Sequence, residues 1–105
     1  MDLVRKRRYS IKDLLDIVRS PKGCPWDRVQ THSSIRSNLI EESYEAIEAI
    51  DLSDSDMLKE ELGDILLQLA FHCSIEEEND NFSFEDVVDQ ICKKTILRHP
   101  HIFSG

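Results

Sequence analysis

Between residues 10 and 99 apolar positions return every three or four residues, the spacing of one helix face. No stretch alternates with the period of two that a half-buried strand requires. Four helical segments follow. Ile11, Leu14, Leu15 and Val18 mark the first, with Ser10 placed to cap it and Asp13 three residues on in a capping-box-like arrangement. Pro21-Lys22-Gly23-Cys24-Pro25 then ends it. A second segment starts near Ser33 or Ser34 and runs to about Leu52. The polar turn from Asp51 to Asp56 offers Ser53 or Ser55 as the next cap. The third helix runs from about Asp56 to Glu78, where Asn79-Asp80-Asn81 breaks it, and Ser83 caps a fourth that ends near His99-Pro100. Short connections between these segments predict an all-α, antiparallel four-helix bundle-like domain.

Advancing about 100° per residue, the apolar side of the second helix is set by Ile35, Leu39, Ala46 and Ile50. Glu42 falls near the edge of that side and Glu45 just beyond it, while Glu41 and Glu48 turn toward water. On the third helix Leu58, Leu62, Ile65, Leu69 and Cys73 form the main apolar sector, and Leu67 and Phe71 form a second. Glu61, Asp64 and Gln68 lie between the two. The acidic residues of Glu41-Glu42-Ser43-Tyr44-Glu45 and Glu61-Leu62-Gly63-Asp64 thus pair three apart within each helix, Glu42 with Glu45 and Glu61 with Asp64.

Acidic residues inside an apolar helix change the picture. One EExxE run is ordinarily a solvated face, but a second set bordered by Leu62, Ile65, Leu66 and Leu69 has no solubility role. Four carboxylates converging near a core repel one another and lose hydration. A hard divalent cation relieves both costs, and an all-carboxylate set suits Mg²⁺ or Mn²⁺ rather than zinc. A ferritin-like di-iron centre is the nearest competitor, but that design wants Glu-x-x-His, and here the matching position is Asp64.

Composition bounds the partners. The 105 residues suffice for one domain with a modest core, within range of needing a second copy. A net charge of −8 argues against stable nucleic-acid binding. Arg5-Lys6-Arg7-Arg8 reads as a solvated N-terminal arm over residues 1–9. Cys24, Cys73 and Cys92 are odd in number and widely spaced, which fits reduced thiols in a cytoplasmic protein. No stretch approaches a membrane span, and no secretory signal is present.

Lys94 and Arg98 stand four apart, so both can face one target. They either suit the macrodipole at a helix end or clamp phosphate opposite the acidic site. Trp26, the only tryptophan, either lids the core from its Pro/Gly loop or offers a flat face to a base. His32, His99 and His101 are open to more than one role; the run His99-Pro100-His101-Ile102-Phe103 is expected to be a terminal packing element rather than a metal site.

Across roughly residues 20–103 the chain resembles the MazG nucleoside triphosphate pyrophosphohydrolases, an all-α family marked by EExxE followed by ExxD. Cys24-Pro25-Trp26-Asp27, Gln30-Thr31-His32, Leu39 to Glu45, Glu60 to Gln68 and Arg98 to Phe103 carry the likeness in order. Leu97 departs from it, standing where members often place a second basic residue. The resemblance implies a single catalytic domain over residues 1–105 that splits nucleoside triphosphates between the α and β phosphates. It implies Mg²⁺ held by Glu42, Glu45, Glu61 and Asp64, with Glu41 in a lesser role. It implies Lys94 and Arg98 on the β and γ phosphates, Trp26 as a base contact, and a homodimer or higher oligomer packed through its helices. A non-catalytic helical interaction module, and a pyrophosphatase for dUTP or phosphoribosyl-ATP, are the alternatives. The base and sugar are not legible.

Overall fold

The computed structural model describes residues 9–103, so the basic cluster at residues 5–8 lies outside it. Regular structure among the described residues is entirely helical: α1 (Ile11–Val18), α2 (Pro25–Val29), α3 (His32–Asp51), α4 (Ser55–Glu78), α5 (Phe84–Arg98) and α6 (Pro100–Phe103). No helix among them is long and apolar enough to cross a membrane.

The caps explain where the helices begin. Ser10 Oγ accepts the Asp13 amide, and Ser83 and Asp86 satisfy each other's amides as predicted. Two starts differ from the sequence reading. Thr31 opens α3 through a reciprocal box with Ser34, so the helix begins at His32. Asp54, not Ser53 or Ser55, caps α4 by accepting the Met57 amide. Ser53 cannot take that role, because its φ of 53° is left-handed and a cap needs extended backbone. Pro25 also does not prolong the loop. It sits in the first turn of α2, where a missing N–H costs nothing.

Gly23 brings that short helix back against α1. A Cβ there would lie 2.3 Å from the Ile17 carbonyl oxygen and 2.5 Å from that of Val18, so only glycine fits. The Cys24 amide then donates to the Val18 carbonyl at 2.7 Å.

α3 and α4 form an antiparallel hairpin across a three-residue turn, and α1 lies over one side of it. The core is small: Leu15 from α1, Ile35 from α3, and Ala70, Phe71 and Ile75 from α4, with Ile11, Val18 and Phe84 packed around them. The two residues of the second sector part company: Phe71 is only 7% exposed, enclosed by α1 within its own chain, whereas Leu67 is exposed. The sector expected to be principal is split, with Leu62 and Leu69 exposed and Cys73 buried; neighbouring Leu66 is exposed, Ile50 is exposed too, and Ala49 is buried in its place. α5 returns along α4 but buries none of its residues, leaving an apolar groove of about 360 Å³ that Leu66, Leu69, Val87 and Ile91 help to line.

Arg19 locks these pieces together. Its guanidinium is buried, donates to both Glu78 carboxylate oxygens at 3.1 and 2.9 Å, donates to the Asp27 carbonyl at 2.8 Å, and lies 4.8 Å over the Phe71 ring. One side chain thereby joins the end of α1, the short α2 and the last turn of α4.

Candidate metal centre

The α3–α4 hairpin stacks facing residues in rungs. At the level of Ile35 and Phe71 the rung is apolar core. One turn along, Asn38 of α3 and Gln68 of α4 line the same cavity. Next come Glu42, Glu45 and Glu61, and beyond them Ala46 and Ala49 are buried. At the opposite end His32 Nδ1 lies 2.6 Å from His72 Nδ1, and its Nε2 lies 2.8 Å from Glu76 Oε1. Asn81 Nδ2 donates to the other Glu76 oxygen, so this end carries its own closed polar network.

Three of the four expected carboxylates converge. One oxygen each from Glu42, Glu45 and Glu61 lies within 4.8 Å of the other two. Glu61 is buried and Glu42 half-buried, whereas Glu45 reaches in from an exposed position. Asp64 is half-buried one turn from Glu61 and its charge is felt at Glu42, but it stands outside that close set. Glu41 is exposed, as the wheel placed it, and so is Glu60.

The crowding has electrostatic consequences. The neighbouring Glu45 carboxylate, aided by burial and by Glu42, holds Glu61 up at about 7. Loss of water around Glu42 raises that group too, with Glu45 and Asp64 adding repulsion while contact with Glu61 opposes the rise. Oε2 of Glu42 and Oε2 of Glu61 are shielded from solvent and accept no hydrogen bond. Buried acceptors of that kind are uncommon without a partner. Several oxygens with no nitrogen or sulfur among them fit a hard divalent cation.

The other expected residues lie around this centre. Trp26, in the second position of α2, is 61% exposed at the rim of the Asn38–Gln68 cavity. Lys94 and Arg98 are exposed on α5, and neither is ion-paired among the described residues. The chain alone does not bring them into the carboxylate set. Sequence reasoning assigned nothing to Asn38, although it lies one turn before Glu42 on the same helix and could have been found from that spacing.

A family model described as the MazG nucleotide pyrophosphohydrolase domain matches residues 30–103. Among curated proteins, a nucleoside triphosphate pyrophosphohydrolase/pyrophosphatase MazG from Thermotoga maritima is 54% identical over 91 residues, which covers 87% of this chain and 36% of that protein. A nucleoside triphosphate pyrophosphohydrolase of Escherichia coli K12 is 40% identical over 92 residues, covering 87% of this chain and 35% of its own length. The uncharacterized protein YabN of Bacillus subtilis is 46% identical over 95 residues, covering 90% and 19%. The chain therefore spans about a third or less of each of these relatives.

Proposed function

This chain belongs to the MazG nucleotide pyrophosphohydrolase family, and from that premise we propose that it hydrolyses nucleoside triphosphates at the α–β bond, releasing a nucleoside monophosphate and pyrophosphate. The observation that carries this reading is the orphaned, all-oxygen carboxylate set on two facing helices. A polyphosphate cannot approach three clustered carboxylates unless their charge is offset.

Glu42, Glu45 and Glu61 would hold Mg²⁺ or Mn²⁺, with Asp64 drawn in from one turn away. The bound ion would supply charge neutralisation and Lewis-acid polarisation of phosphate oxygens. The chain's own contribution is positional. The hairpin fixes the three carboxylates on one wall, along which the metal-neutralised phosphates would lie. Exposed Glu41 acts at most through solvent.

Lys94 and Arg98 supply the complementary charge. α5 lines a groove with α4 from Phe84 to Ile91, reaching Leu66; continued in that direction, its last turn would point toward the Glu61 end of the hairpin. Exposed, and without an ion pair among the described residues, both cations would bind the β and γ phosphates and the departing pyrophosphate. The open apolar faces of α4 and α5 support assembly with a second copy, which would bury Leu62, Leu66 and Leu69.

The test is product analysis. Incubation with a nucleotide panel and Mg²⁺ should yield monophosphate and pyrophosphate in equal amounts, and chelation should stop both. Release of inorganic phosphate and a diphosphate instead would place cleavage at the other anhydride bond.

A further inference from the structure

Away from the carboxylates, the hairpin carries a second cluster of titratable groups that the phosphate chemistry does not use. His32 opens α3, His72 stands on α4, and their Nδ1 atoms lie 2.6 Å apart. The ring planes differ by 10° and the centroids are 4.9 Å apart, the largest separation two imidazoles can have at that nitrogen distance. The rings therefore meet edge to edge, each Nδ1 aimed at the other. His32 Nε2 reaches Glu76 Oε1 at 2.8 Å, and Asn81, in the turn before α5, donates to Glu76 Oε2 at 2.7 Å. We propose that His32 and His72 form a proton-sharing clasp that fastens α3 and the α4–α5 turn to α4, staying closed with one excess proton and opening when it takes a second.

Proton counting sets the states. A neutral imidazole has one N–H. With both rings neutral, His32 donates from Nε2 to Glu76 and His72 donates from Nδ1 to His32. One added proton resides on His32, which then donates from both nitrogens, to Glu76 and to His72. In each state a single hydrogen lies between the two Nδ1 atoms. A second added proton puts a hydrogen on both, so two donors and two positive charges face each other and the contact breaks. A shared metal ion fits less well. Two imidazoles on one tetrahedral zinc converge at an angle with their nitrogens more than ~3 Å apart, whereas these point head-on. No third His, Cys, Asp or Glu donor converges with them among the described residues.

The surroundings resist the second proton. His72 lines the apolar α4–α5 groove, where α5 presents Phe84, Val87, Val88 and Ile91 and the titratable group beside it is Cys73, kept neutral by burial. Burial, and then the charge of His32, hold His72 below the usual imidazole range. Glu76, held below the usual carboxylate range by Asn81 and His32, stays ionised and supports the first proton on His32. Linkage gives the direction of the effect. Because His72 is lowered in the native state, the unfolded chain takes its proton first as pH falls through about 6.5. The stability the clasp supplies is complete above that value and is lost below it.

The test uses the intact chain in chelator. Imidazole shifts followed by NMR should show the pair taking up its two protons in separate steps, the second at His72 and below pH 6.5. A strongly downfield Nδ1 proton should be present at pH 7 and vanish with that second step. His72→Gln keeps a donor and an acceptor but cannot ionise. The comparison is made in the Glu61→Gln background, which removes the carboxyl held up at about 7. There the folding constant of the chain with His72 should fall relative to that of the variant below pH 6.5, by up to about tenfold per pH unit. Over the same range, exchange of the Ile35 amide, which closes the first turn of α3 on Thr31, should accelerate only in the chain that keeps His72. Independent titration of the two rings with no downfield proton would overturn the inference, even if the variant did not fold. So would a pH dependence of stability that is the same with and without His72.

Discussion

Replacing Glu61 by glutamine tests the acidic rung most directly. The perturbation keeps side-chain size, removes one charge from three oxygens within 4.8 Å, and adds a donor that Glu42 or Glu45 can accept. With no cation present, the wild-type chain holds Glu61 at about 7, above its ordinary 4.5. The sign follows by linkage. Below the unfolded value both states are protonated and Glu61 costs nothing. As pH rises from about 4.5 to about 7 the unfolded chain ionises first, so native stability falls. Glu61→Gln should therefore melt with the wild type near pH 4.5 and progressively above it as pH rises to 8, all in chelator. Metal affinity moves the opposite way. A proton must leave before the cation binds, so the wild type's apparent affinity should fall toward tenfold per pH unit below about 7. The variant should lose most of the affinity. Thermal shifts with and without Mg²⁺ or Mn²⁺ over pH 4.5–8, with calorimetric titration of Mn²⁺, measure both. A variant less stable than wild type in chelator at pH 8, or a wild-type affinity indifferent to pH, would refute the argument.

Arg19→Met should cost about 2–4 kcal/mol, because it strips hydrogen bonds to a charged partner from a buried site, discounted for the half-exposed Glu78; thermal denaturation should show Tm lowered by about 10–25 °C. Arg98→Ala should lower turnover roughly a hundred- to thousand-fold, as for loss of a donor to developing charge, with Tm nearly unchanged because Arg98 is exposed and makes no ion pair among the described residues; normal turnover would remove it from the site. Sedimentation at micromolar concentration should find a dimer or larger species, and Leu66→Glu with Leu69→Glu should dissociate it; a wild-type monomer would show that the open face has another use.

The four main helices, most of their boundaries and the acidic rung were legible because each depends on local spacing, whereas the short α2 and α6 were not foreseen. Glu42, Glu45 and Glu61 interrupt apolar stripes, and that conflict between polarity and position survives in one dimension. What escaped reading depends on which elements meet. Leu67 and Phe71 formed a clear stripe, but no pattern says that α1 encloses Phe71 and leaves Leu67 exposed. Arg19 looked like any basic residue at a helix end; its burial follows from Gly23 folding α2 back across it. His32 and His72 are 40 residues apart, and only the hairpin register makes them neighbours. Asp54 displaced two serines as a cap because Ser53 took a left-handed conformation, a choice made by the turn as a whole.

The hairpin also sets an order of events. α3 and α4 are joined by three residues, and their pairing supplies most of the chain's helix–helix contact. Loop closure over so short a span is fast, whereas α1 must arrive across α2 and the whole of α3 to reach Phe71. The carboxylates lie wholly within the early unit and the cavity needs the late one. Substitutions in the α3–α4 contact should therefore slow refolding, whereas Leu15→Ala in α1 should mainly speed unfolding.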